Sequence, residues 1–75
     1  MNIEDLIILL AMKCQTNPFD SKVIWSFYDQ ISRGNGFTEK QEQLAIKILK
    51  RQVSKINAAL GKDATPYLEN PVFRL

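Results

Sequence analysis

The chain has 75 residues, 45% hydrophobic and 24% charged, with ten Lys/Arg against eight Asp/Glu and no histidine. That is enough apolar sequence for one small folded domain, burying roughly 60–65% of its unfolded surface. One cysteine and no histidine exclude an internal disulfide, a Cys/His zinc site and a Ser–His or Cys–His nucleophile pair.

At the N-terminus, Leu6–Met12 is uninterrupted apolar sequence. It is far shorter than the about 20 residues that cross a bilayer. Glu4 and Asp5 stand where a secretory signal carries positive charge. A lone thiol, Cys14, fits a reducing compartment. The expectation is a cytoplasmic protein with no membrane contact.

Asn2 is placed to cap a first helix over 3–13, with Glu4 and Asp5 at the positive end of its dipole. Its apolar residues point in nearly every direction, Ile3, Leu6 and Leu10 on one side and Ile8 and Met12 on another. Such a helix is central to a core or covered by a partner. Pro18 disfavours helix at Asn17 and ends this element. A second helix over 21–33 is expected, capped by Asp20 or Ser21. Ile24, Phe27, Tyr28 and Ile31 form its buried face. Trp25 sits at the margin of that face, where it packs, stacks on a base or anchors a partner protein. Gly34 supplies a helix-ending residue.

Thr38 and Gln41 match a capping box, and no Gly or Pro follows until Gly61. A single long third helix over 39–60 is therefore expected. Ala45, Leu49, Val53, Ile56 and Leu60 form its apolar stripe. Thr65-Pro66 then reads as a cap and first helical residue of a short turn over 66–69. Val72–Leu75 is expected as an extended tail, with Tyr67 and Phe73 holding it down. The fold class is all-α: a compact three-helix domain with one short helical turn and a C-terminal tail.

Charge is uneven along the chain. Gln43–Lys62 carries Lys47, Lys50, Arg51, Lys55 and Lys62 and no carboxylate. With Leu49 set at 0° and 100° per residue, Lys47 falls near about 160°, Lys40 about 180°, Arg51 about 200°, Lys62 about 220° and Lys55 about 240°. On one continuous helix these cations lie away from the stripe, and Lys50 belongs to the same basic run. Such a row suits the phosphates of a nucleic-acid backbone, which position a protein without reading sequence. A merely solubilising face usually mixes signs.

Nothing points to catalysis. Asp20, Asp29, Glu39 and Glu42 are scattered over helix starts and surfaces, and Gly34-Asn35-Gly36 lacks the Lys-Ser/Thr of a phosphate-binding loop. No cofactor or metal is expected.

Ser21, the helix containing Gln30, and Gly36-Phe37-Thr38-Glu39-Lys40-Gln41 before a Leu/Ile/Lys-rich helix carry one resemblance. The stretch from Phe19 to Arg51 resembles a helical accessory element of phage-encoded helicases and DNA-processing proteins. The resemblance implies a non-catalytic module beside a helicase or replication enzyme, with no catalytic residue. Two readings follow. The first is a nucleic-acid accessory module using Lys40, Lys47, Lys50, Arg51, Lys55 and Lys62. The second is a protein-interaction module docking through the first helix or the tail, with Trp25 and Phe73 as anchors.

Overall fold

The computed structural model describes all 75 residues and is all-α. Five helices follow one another: α1 (Ile3–Lys13), α2 (Pro18–Ser32), α3 (Glu39–Arg51), α4 (Val53–Leu60) and α5 (Thr65–Glu69).

α1 begins where expected. The Asn2 side-chain oxygen accepts the Asp5 amide at 2.9 Å, closing its first turn. Ile3, Leu6, Ile7 and Leu10 are buried, and the helix packs against α2, α3 and α4. One side of this apolar helix is thus at the centre of the core, while Met12 on the other is exposed.

α2 starts earlier than the expected residue 21. Asn17, not Asp20 or Ser21, is the cap, and its Oδ1 accepts the Asp20 amide at 2.8 Å. The proline that breaks the preceding pattern also explains this start. It holds Asn17 in the extended region (ψ 160°) that a cap requires and itself fills the first helical position. Asp20 moves inward to the third helical position and is fully buried. Gly34, at φ +74°, takes the left-handed conformation that follows the helix.

α3 opens with the expected capping box. Thr38 Oγ1 accepts the Gln41 amide at 3.2 Å, and Gln41 Oε1 accepts the Thr38 amide at 3.0 Å. Gln30 of α2 extends it, donating from Nε2 to Gln41 Oε1 at 3.0 Å and to the Gly36 carbonyl at 2.6 Å. The interhelical turn is therefore fastened from both sides.

The single helix expected over 39–60 is broken at Gln52, whose backbone (φ −101°, ψ 15°) leaves the helical region. Gln52 ends α3 and caps α4, its carbonyl accepting the Lys55 and Ile56 amides at 3.1 Å each. No glycine or proline marks the place. The cause is tertiary: Arg51 and Gln52 point about 100° apart on a regular helix, yet both bond the Asp20 carboxylate. Thus the expected three helices become four, plus the turn.

α5 is also capped differently from expectation. Thr65 is its first residue, not its cap, and Asp63 accepts both the Thr65 amide at 3.0 Å and its hydroxyl at 2.7 Å. Asn57 of α4 accepts the Ala64 amide at 2.7 Å, which turns the chain back from Gly61.

The tail returns to the start of the chain. The Val72 carbonyl accepts the Ile3 amide at 2.8 Å. The Glu4 carboxylate accepts the Arg74 amide at 2.9–3.0 Å and the Leu75 amide at 3.0 Å. Phe73 meets Phe37 edge-on at 5.9 Å, and Phe37 meets Phe27 likewise at 5.2 Å. The radius of gyration, 11.1 Å, matches the about 11 Å of a fully compact chain of this length.

Candidate nucleic-acid interface

The basic face divides once its cations are followed to their atoms. Lys40, Lys47 and Lys50 are exposed on α3. The chain forms only two ion pairs, Arg33–Asp29 and Arg51–Asp20, so these three lysines have no carboxylate partner. At 1.5 Å per residue they spread over about 15 Å of helix. That length covers two or three phosphates of a nucleic-acid strand.

The other three candidates are engaged within the fold. Arg51 holds Asp20 through two bonds and keeps 46% of its side chain exposed. Lys55 donates its Nζ to the Gln15 carbonyl, tying α4 to the α1–α2 connection. Lys62 lies over the Tyr67 ring, 5.5 Å from its centre. Both of these follow the break at Gln52, so one helical wheel cannot phase them with α3. Lys40, Lys47 and Lys50 share α3, and Lys55 and Lys62 lie beyond it.

A shallow groove runs beside the trio, between α3 and the tail. Ile46, Pro71 and Phe73 floor it, with Glu39 and Glu42 towards its N-terminal end and Lys47 and Lys50 towards the other. The two glutamates favour the positive start of α3 and flank Lys40, while Lys47 and Lys50 lie in the carboxylate-free C-terminal half of the helix.

Two buried carboxylates were expected at the surface or as caps, and neither is free. Asp20 accepts from Gln52 Nε2 at 2.8 Å, Arg51 Nη2 at 2.9 Å, Arg51 Nε at 3.0 Å and Asn17 Nδ2 at 3.1 Å. Burial pushes its carboxyl up, but the bonds from Gln52, Arg51 and Asn17 and the Arg51 charge outweigh that. The group is held below the usual carboxylate range. Glu4, 4% exposed, is filled by the tail amides. Asp63 is also held low, by the Thr65 amide and hydroxyl first and Asn57 last.

Of the partner anchors, Trp25 is 48% exposed, its ring edge-on to Tyr28 at 5.3 Å. Phe73 is half-buried against Phe37 and serves the fold. Sequence reading overlooked Phe19, which is 63% exposed one residue before the buried Asp20. Its only signal was its place in the expected loop between helices. No helix is long and apolar enough to cross a membrane. No family model, curated protein or solved structure matches the chain.

Proposed function

We propose that this chain is a small accessory module that binds nucleic-acid backbone through Lys40, Lys47 and Lys50 on α3. The observation that carries the reading is the trio itself: three exposed ammonium groups on one helix, none with a carboxylate within ion-pair distance. Ammonium groups left unpaired are available to replace the counterions of a phosphate chain, and that exchange drives sequence-independent binding. Arg51, at the end of the same helix, has its charge balanced by Asp20 and is left out of the proposed surface. The resemblance of Phe19–Arg51 to helicase accessory elements supports a role beside a helicase or replication enzyme, with chemistry left to that partner.

Anisotropy of labelled single-stranded and duplex oligonucleotides across a salt series tests the proposal. Three phosphate contacts give a log–log slope of roughly −2 to −3 and a weak dissociation constant, about 1–100 μM. The triple variant K40E/K47E/K50E keeps its helical circular dichroism and loses binding. A triple variant that binds as the parent does rules the reading out. Arg51 and Lys55 are left intact in this design, because changing either disturbs the fold.

Docking on a protein partner is the second reading, and one observation favours it on α1: Met12 is 63% exposed on the most apolar helix.

A further inference from the structure

The outer side of α1 is self-complementary. Asp5, Ile8 and Met12 follow a three-four spacing, the seam of a coiled-coil contact, and Met1 lies just before the helix. Met1 is 45% and Met12 63% exposed, and Ile8 and Leu9 are half-buried beside them. Together with Asp5 and Lys13 these residues line one shallow depression that no other element covers. Asp5 stands at one end of this surface and Lys13 at the other, about 12 Å away along the axis. Neither side chain has an ion partner or hydrogen-bond acceptor or donor elsewhere in the chain.

Opposite charges at the two ends of one apolar helical face select an antiparallel copy of that face. We infer that α1 pairs with α1 of a second copy of this chain about a two-fold axis passing near Ile8 and Leu9. That axis sets each Asp5 against the Met12–Lys13 end of the other helix and buries Ile8, Leu9 and Met12 between them. One surface patch meeting itself is the commonest way a homodimer closes. A parallel arrangement would instead stack Asp5 on Asp5 and Lys13 on Lys13. The inference deepens the protein-docking reading of α1 and is independent of the lysines of α3. Three turns of helix make an interface at the small end of the specific range, so the dimer dissociates in the region of about 10–100 μM.

Sedimentation equilibrium without nucleic acid, from about 5 to 500 μM, tests it across that range. The expected result is a mass rising from 8.6 kDa towards twice that value. Met12→Glu, at an exposed position, keeps the monomer's helicity and abolishes the rise. Asp5→Lys alone and Lys13→Asp alone each weaken association about tenfold, and the double swap D5K/K13D recovers most of it. A constant 8.6 kDa throughout overturns the inference. So does association that Met12→Glu leaves unchanged, or a double swap no better than the single ones. Loss of nucleic-acid binding in K40E/K47E/K50E with dimerisation intact separates the two proposals.

Discussion

Arg51 and Asp20, 31 residues apart, meet as a fork: Nε donates to Oδ2 at 3.0 Å and Nη2 to Oδ1 at 2.9 Å. The carboxylate side chain is 1% exposed and the guanidinium side chain 46%. The pair joins the first turn of α2 to the last of α3. Gln30–Gln41 joins the other ends of the same two helices, so α2 and α3 run antiparallel between two polar clasps.

Removing the carboxylate is therefore expected to cost more than removing an ordinary surface acid. In Asp20→Ala, Arg51 and the exposed Asn17 rehydrate, but buried Gln52 loses its acceptor. The expected loss is about 2–4 kcal/mol, against roughly 4–11 kcal/mol for a chain of this length. Urea unfolding followed by circular dichroism measures it. A loss below about 0.5 kcal/mol, the level of a neutral surface change, contradicts the structural role assigned to Asp20.

Acid is expected to weaken the fold through the same group. The folded-state pKa of Asp20 is depressed, so its contribution is complete above the unfolded value, about 3.9, and is lost as pH falls through the lower folded value. Asp63 shifts in the same direction and adds to the loss. Urea midpoints should be flat from neutral pH down to about pH 5 and decline below about pH 4. In Asp20→Asn that decline should be shallower; an unchanged acid limb would assign it to other carboxylates.

Glycine substitutions should separate two kinds of constraint. Gly61 has φ +79° and open space around it, so Gly61→Ala costs about 1–2 kcal/mol through conformation alone. Gly36 lacks a positive φ, but a Cβ there would meet the Leu75 backbone at 2.9 Å. Gly36→Ala should cost about 1–3 kcal/mol and loosen the tail, since the obstructing atoms are main chain. Amide exchange at Arg74 and Leu75 distinguishes the cases: faster in Gly36→Ala, unchanged in Gly61→Ala.

Glu4 is expected to act as the latch of the tail. Glu4→Ala removes the acceptor of two backbone amides and should lower stability by about 1–3 kcal/mol. Phe73 would leave Phe37, and exchange at Arg74 and Leu75 would approach that of a free peptide. Retained protection at both amides would show that Phe73 alone holds the segment.

What the sequence revealed was what is local. Asn2 and Thr38–Gln41 lie within a few residues of the groups they satisfy; α1 and the start of α3 appeared where expected, and α2 with shifted ends. The missing parts span the chain. Gln52 has no local reason to interrupt a helix, because its partner is Asp20, 32 residues away. Glu4 resembles a dipole residue until the tail reaches it from about 70 residues on. The basic face was legible as a count of charges. Its division was not, since Arg51, Lys55 and Lys62 are withdrawn by partners that a helical wheel omits.

The bond between Ile3 and Val72 gives the molecule a property beyond holding the tail. Main chain enters and leaves the core at one spot, as a loop does. A short flexible joint between Leu75 and Met1 would close the backbone into a ring with little rearrangement. New ends could then be opened in the exposed Gly34–Asn35 turn. By the same geometry, the whole unit could be set into a surface loop of a larger protein without forcing the host's flanking residues apart.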